Sequence, residues 1–321
     1  MPGWRVLILT GLFLGGLLSL TGNAQVDWAH DSHLIMGKAV PDTFYFFGVD
    51  DLKAFFEEAE YTLDHWIEGD RSIPRYYLAS VPSRWRHEVA PNLPVKEKKQ
   101  YFFFVYAPLV LECNEDIMAE RQLLTDLAAR KSLSADDQTK LRTLAHRYLD
   151  DQTAEEATDA ELLVKLEDRV DIVPPSLALA QAAVESGWST SRFSDLGNAL
   201  FGQWTWKGDG ITPSEQRDEL GNYKIKSFDS PEASIAAYMH NLNTHRSYAG
   251  FRRERAEMRQ QGKELQGSIL AATLTSYSEK GQEYVETIQS VIRVNQLPPA
   301  DTAHLRDMQP VLLVPVGEGA D

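Results

Sequence analysis

Apolar side chains spaced three and four apart run through most of the chain. Leu52, Phe55, Phe56, Ala59, Leu63 and Trp66 recur at that interval, which predicts a helix from Asp50 to about Gly69. A connector carrying Pro74, Pro82, Pro91 and Pro94 follows. A long helical pattern then runs from Val95 to Arg130 with Pro108 inside it, so a kink or a break is expected there. Ser134 with Asp137, and Thr158 with Glu161, have the spacing of capping boxes, each ahead of a further helical stretch. The region before residue 170 therefore reads as all-α, and it holds no chemical motif.

The texture changes at Ile172-Val173-Pro174-Pro175-Ser176. The segment after it, Leu177 to Val184, is Ala and Leu with one Gln, apolar on every side, as in a buried helix. Gly187 suits a left-handed cap at its end. Leu200 to Trp206, the turn Lys207-Gly208-Asp209-Gly210 and the alternating Tyr223 to Phe228 segment predict a small β-ribbon. Ser230 and Pro231 open another helix, as cap and first turn. Further helices are expected at about 250–261, 267–277 and 282–294, and the tail after 300 is expected to be loosely held.

Glu185 falls in the last turn of the buried helix. Desolvation there raises a carboxyl pKa, and the negative end of the helix dipole acts in the same direction. Both effects keep a proton on Glu185 near neutral pH, as a general acid requires. On helix pattern alone, a glutamate turned outward at a frayed helix end is the commoner outcome, since Glu is seldom buried unpaired.

The neighbours of Glu185 change that balance. Ala180-Gln181-Ala182-Ala183-Val184-Glu185-Ser186-Gly187-Trp188, then Ser191-Arg192-Phe193 and Gly197-Asn198-Ala199-Leu200-Phe201-Gly202, resemble the glucosaminidase domain of flagellar and autolysin wall hydrolases. That family is glycoside hydrolase family seventy-three, with a lysozyme-like fold. The resemblance covers roughly residues 170–296, and the helical region before it resembles the extension of the family's Bax-like branch. It implies that Glu185 is the catalytic acid and that Asn198, Phe201 and Gly202 line the cleft. Tyr277-Ser278-Glu279-Lys280-Gly281-Gln282-Glu283-Tyr284 resembles the family's Tyr-x-Thr-Asp-x-x-Tyr element, with Ser-Glu for Thr-Asp and one extra residue. The resemblance gives Tyr277 a place facing the acid, whereas Tyr284 reads either as a substrate contact or as a packing residue.

Glycoside hydrolysis usually takes a second carboxylate, about 5 to 5.5 Å away for retention or roughly 6.5 to 9.5 Å for inversion. The ribbon offers Asp209, Glu215, Asp218 and Glu219. Glu219, before Leu220-Gly221, best matches the family's second glutamate, with Glu215 next, although the usual Thr-x-Glu-Tyr context is absent. A substrate-assisted route through the sugar's N-acetyl group would loosen the demand on Glu219. Trp188, Trp204 and Trp206 are expected around the cleft, and Trp204 and Trp206 fall on one face of a strand, where one of them could instead close the ribbon's apolar side.

Composition narrows the picture further. The formal net charge of −15 over 321 residues argues against nucleic acid as a partner. It does not favour an anionic wall either, so attraction to glycan must come from local contacts. The eight histidines include no pair with metal-ligand spacing, and no cofactor is implied. Cys113, the single cysteine, excludes an intramolecular disulfide, and its apolar setting beside Glu112 makes a poor nucleophile. Arg5, a mostly apolar run from Val6 to Leu20 and Thr21-Gly22-Asn23-Ala24 read as a secretory signal cleaved after Ala24.

These readings combine into a mainly α, lysozyme-like α+β chain. It comprises a signal peptide at 1–24, an α-helical domain at 25–169, a catalytic domain with a small β-hairpin lobe at 170–298 and a tail at 299–321. The expected protein is an exported, periplasmic, monomeric hydrolase. It would cleave the β-1,4 bond of peptidoglycan glycan strands after N-acetylglucosamine, with room for wall-assembly protein partners. Glu185, Glu219 and Tyr277 would be catalytic, and Asn198, Phe201, Gly202, Trp204, Trp206 and Tyr284 would bind substrate. A lytic transglycosylase and a non-catalytic wall-binding scaffold are the alternatives.

Overall fold

The computed structural model describes residues 41–206, 208–214 and 221–316. The expected signal segment and its cleavage point, and Glu215, Asp218 and Glu219 of the hairpin, lie outside the described residues. Strand β1 (Asp42–Phe46) leads into helix α1 (Val49–Glu58). The single helix expected over 50–69 is in fact two. Glu60 takes a left-handed φ of 51°, and Tyr61 is buried with its ring stacked 4.6 Å from that of Phe104. Helix α2 (Leu63–Glu68) restarts only after Thr62, whose hydroxyl accepts from the His65 amide. Two short strands follow, β2 (Ser72–Ile73) and β3 (Tyr76–Leu78), and then a π-helical turn at Trp85–Val89. The first half is therefore not all-α.

Helix α3 (Val95–Ala128) continues through Pro108, so of the kink or break expected there, the break does not occur. Proline removes one intrahelical hydrogen bond. Every residue from Tyr106 to Asn114 is buried, however, and packing on all sides holds the helix together across the gap. Helices α4 (Ala135–Tyr148), α5 (Asp151–Glu156) and α6 (Asp159–Glu167) come next, and both expected capping boxes form, at Ser134 with Asp137 and at Thr158 with Glu161. They pack on the end of α3 through a small core that includes Leu127, Leu141, Leu162 and Leu166.

Helix α7 (Pro175–Glu185) is buried without exception from Pro175 to Ala183. Around it the chain adds α8 (Arg192–Gly197), the antiparallel strands β4 (Trp204–Thr205), β5 (Gly210–Ile211) and β6 (Lys224–Lys226), and helices α9 (Pro231–Thr244), α10 (Ala249–Gln260), α11 (Gly267–Ala271) and α12 (Gln282–Val294). Helices α3, α11 and α12 pack directly on α7. Gly267 permits the closest approach, since a Cβ there would come within 2.7 Å of the Leu177 amide nitrogen.

The tail as far as Val316 is ordered where looseness was expected. Strand β7 (His304–Leu305) pairs with β2, and β8 (Val311–Pro315) lies between β1 and β3, parallel to both, with Leu313 opposite Phe44 and Leu78. One cluster of buried side chains then joins Phe46, Leu109 and Val110 to Leu177, Ala180, Ile288 and Leu313. The boundary expected between 169 and 170 runs through this core and does not separate two cores. A fragment beginning at Val170 is therefore expected to lack a cooperative thermal transition by circular dichroism. A fragment that melts as sharply as the full chain would mean that the two parts fold independently.

Candidate active site

Helix α7 ends at Glu185, and the next residues turn sharply. Gly187, Trp188 and Ser189 take φ values of 58°, 62° and 60°, three left-handed residues in a row. Such backbone is costly for Trp and Ser and persists only where neighbours enforce it. Here the Trp188 amide donates to Ala183 O at 2.9 Å and the Ser189 amide to Ser186 Oγ at 2.8 Å. The region before residue 170 supplies the rest. Trp85 Nε1 donates to Trp188 O at 2.9 Å, and Ser189 Oγ to Tyr106 Oη at 2.8 Å. The Trp188 ring meets Phe102 and Phe103 edge-on, with Lys99 Nζ 4.8 Å from its centre. Trp188 therefore packs on α3, away from the role expected for it at a glycan cleft.

Glu185 keeps part of its surface accessible although protein surrounds it. Tyr284, in the first turn of α12, donates to Glu185 Oε1 at 2.7 Å. Burial pushes the Glu185 carboxyl up to about 7, while the Tyr284 hydrogen bond, which favours the ionised form, opposes the shift. Behind Tyr284 a line of buried groups continues. Gln181 Nε2 donates to Tyr284 Oη at 2.9 Å, and Tyr238 Oη donates to Gln181 Oε1 at 2.5 Å. Tyr277 stacks face to face on Tyr284, with ring centres 5.3 Å apart. Tyr284 therefore supplies a hydrogen bond to the acid, and Tyr277 packs on Tyr284. Neither Gln181 nor Tyr238 carries a signal in the sequence: Gln181 is one polar residue in an apolar helix, and nothing local distinguishes Tyr238.

Two residues expected to line the cleft have other partners. Asn198 caps α8 at φ 50°, and its side chain is occupied, with Oδ1 accepting from the Val81 amide and Nδ2 donating to Phe228 O and Asp229 O. It ties three segments together and offers no free arm to a sugar. Phe201 is buried and stacks on Tyr238 at 3.9 Å, so it braces the hydrogen-bonded line from behind. Gly202 has a φ of 60° in the turn before β4. Trp204 stacks on Tyr223 at 4.6 Å, and Trp206, 57% exposed, stands edge-on to Trp204 at 6.0 Å, as expected for side chains on one face. Of these aromatics, Trp206 is the most exposed.

A small apolar cavity of about 70 Å³ is lined by Leu78, Trp85, Phe102, Tyr106 and Ser189 among others. It touches the left-handed turn but not Glu185, so the cavity and the chemistry are separate. Among the described residues no three His, Cys, Asp or Glu side chains converge on a metal-sized site, and no helix is long and apolar enough to cross a membrane.

Comparison with known proteins identifies a family and a relative. The family model for glucosaminidases, described as mannosyl-glycoprotein endo-beta-N-acetylglucosaminidase, matches residues 160–297. Protein bax of Escherichia coli (strain K12) is 32% identical over 202 residues, which span 62% of this chain and 70% of that protein. No solved structure matches the chain.

The raised Glu185 pKa has a consequence for stability. Between the ordinary glutamate value of 4.5 and about 7, the folded state holds a proton that the unfolded chain has lost. Stability therefore falls as pH rises through that window. Glu185→Gln removes the penalty, and the variant is expected to be more stable than the parent above the window, by on the order of 2 to 3 kcal/mol. The difference should vanish below the window. Urea unfolding from about pH 4 to about pH 8 measures it, and a difference independent of pH would contradict the assigned environment.

Proposed function

The chain belongs to the glucosaminidase family, and from that premise we propose that it hydrolyses the β-1,4 bond of peptidoglycan on the reducing side of N-acetylglucosamine, with Glu185 as the proton donor. The observation that carries this reading is the carboxyl of Glu185 itself. It sits at the end of a buried helix, is raised to about 7, is held at one oxygen by Tyr284, and remains partly accessible. Such a group is protonated in a large fraction of molecules near neutral pH and can give up that proton when a leaving oxygen arrives.

In the proposed reaction, Glu185 protonates the departing glycosidic oxygen as the bond to the anomeric carbon stretches. Glu219 activates the attacking water or stabilises the oxocarbenium ion. Tyr277, stacked on Tyr284, stands with it beside the acid, and one phenol of the pair orients the water or the acetamido group without adding charge. Trp206 supplies an apolar face for a sugar ring, with Trp204 as its support. The leader at 1–24 would carry the chain across the membrane to the wall.

Glu185→Gln fills the same space but cannot donate a proton to the leaving oxygen. It is expected to lower turnover on purified peptidoglycan by about 10² to 10⁴. Near-parental turnover would sink the assignment. Mass spectrometry of the parent's products is expected to find reducing N-acetylglucosamine ends, and anhydro-muramic ends would indicate a lytic transglycosylase.

The second carboxylate is tested separately. Glu219 precedes Gly221 and the strand that begins near Tyr223, whereas Glu215 follows the Thr212-Pro213-Ser214 loop. A misplacement of about 1 Å can cost on the order of 10² in rate, so the acid next to the more regular segment is the better candidate. Glu219→Gln should depress turnover far more than Glu215→Gln, with little change in KM. The reverse order would transfer the role to Glu215, and two nearly active variants would favour a substrate-assisted route.

A further inference from the structure

We propose that Gln181 is a positioning residue that sets the direction of the hydrogen bonds reaching Glu185, so that the acid's proton is held on Oε2, the oxygen Tyr284 does not occupy. The inference rests on Glu185 being the general acid. It starts from the line already described: Tyr238 Oη to Gln181 Oε1 at 2.5 Å, Gln181 Nε2 to Tyr284 Oη at 2.9 Å, and Tyr284 Oη to Glu185 Oε1 at 2.7 Å. Gln181 precedes Glu185 by four residues on the same helix, so the two side chains share one face.

A phenol has one proton. When the Gln181 amide donates to the Tyr284 oxygen, the Tyr284 proton is left for Glu185 Oε1. A neutral carboxyl group that accepts at Oε1 carries its own proton on Oε2. Were the order reversed, Tyr284 would give its proton to residue 181 and accept one from Glu185. The proton needed for chemistry would then be fixed inside the protein. The orientation of the Gln181 amide sets the order: its nitrogen, which can only donate, meets Tyr284, and its oxygen, which can only accept, meets Tyr238. Tyr238 anchors the far end, with its ring stacked on Phe201.

The rest of the surroundings leaves this order undisturbed. Gln181, Tyr238 and Tyr284 are all buried, so bulk water does not compete for their bonds. The titratable groups facing Glu185 are the phenols of Tyr238 on α9, Tyr248 in the turn after it, Tyr277 and Tyr284. Burial keeps each of them neutral over the working pH range. Among the described residues, no charged side chain is a cause of the Glu185 shift.

The test uses the full chain carrying Gln181→Met, which approximates the volume and removes both donor and acceptor. Loss of one oriented hydrogen bond is expected to lower kcat about tenfold, with KM nearly unchanged. Tyr284 then donates less strongly to the carboxylate, so the basic limb of the kcat profile should move up by about half a unit to one unit. Gln181→Glu should restore most of the loss, because a buried carboxylic acid stays protonated and offers both an O–H and a C=O. A second readout needs no substrate: the midpoint of the pH-dependent stability difference against the Glu185→Gln partner should rise by about half that amount when Gln181→Met is present in both, because only the folded-state end of the window moves. If Gln181→Met does not fold, Tyr238→Phe loosens the far anchor and should shift both readouts in the same direction by less. A folded Gln181→Met, or in its place Tyr238→Phe, with parental midpoints overturns the proposal, as does Gln181→Glu behaving like Gln181→Met. An active Glu185→Gln would defeat the general-acid reading instead, while the stability midpoints would still report whether Gln181 orders the line.

Discussion

A helix that is apolar on every face has to be covered on every face, and the rest of this fold follows from covering α7. A sheath of helices is needed, and no stretch of neighbouring sequence supplies enough of it. Helix α3 comes from the region before residue 170, and α11 and α12 come from beyond residue 260. The strands close the arrangement, because β8 at the end of the chain lies between β1 and β3 from its beginning. The same burial that drives this assembly strips water from the last residue of α7. A carboxyl left at the margin of such a core takes up its proton more readily, so stability in the helix and acidity at its end have one cause.

The left-handed turn after Glu185 shows how the two halves of the chain depend on each other. Three residues with positive φ reverse the chain immediately after the carboxyl. The groups that hold two of them, Trp85 on the Trp188 carbonyl and Tyr106 on the Ser189 hydroxyl, lie some eighty to one hundred residues earlier. Packing of the Trp188 ring against Phe102 and Phe103 adds to this hold. The early helical region therefore has a structural duty next to the acid.

What was legible in the sequence was local. The capping boxes at Ser134 and Thr158, the cap at Ser230 with the proline start at Pro231, and the place of Glu185 at the end of an apolar helix all depend on residues within a few positions of one another. What was not legible was non-local. Strands of two to five residues carry too little alternation to be recognised, and β1 finds its partner some 270 residues away. Glu60 hid the break between α1 and α2, since a left-handed glutamate has no signature. Asn198 and Phe201 were read as contacts for sugar because a motif marks positions and not the direction of a side chain. In the fold one ties Val81 to Phe228, and the other supports Tyr238.

The chemistry around Glu185 is also uncharged, which bears on how an acidic protein could act on a wall polymer. N-acetylglucosamine carries no charge, so a site for it gains nothing from cations and needs hydrogen bonds and apolar faces. The groups that surround Glu185 are phenols and an amide, and burial keeps the phenols in their neutral form. The acidic excess can therefore reside on the surface without entering the electrostatics of the reaction. Glu185 is left as the group beside those phenols whose charge changes near neutral pH, and a small alteration in its hydrogen bonding then acts directly on the proton that the proposed reaction would use.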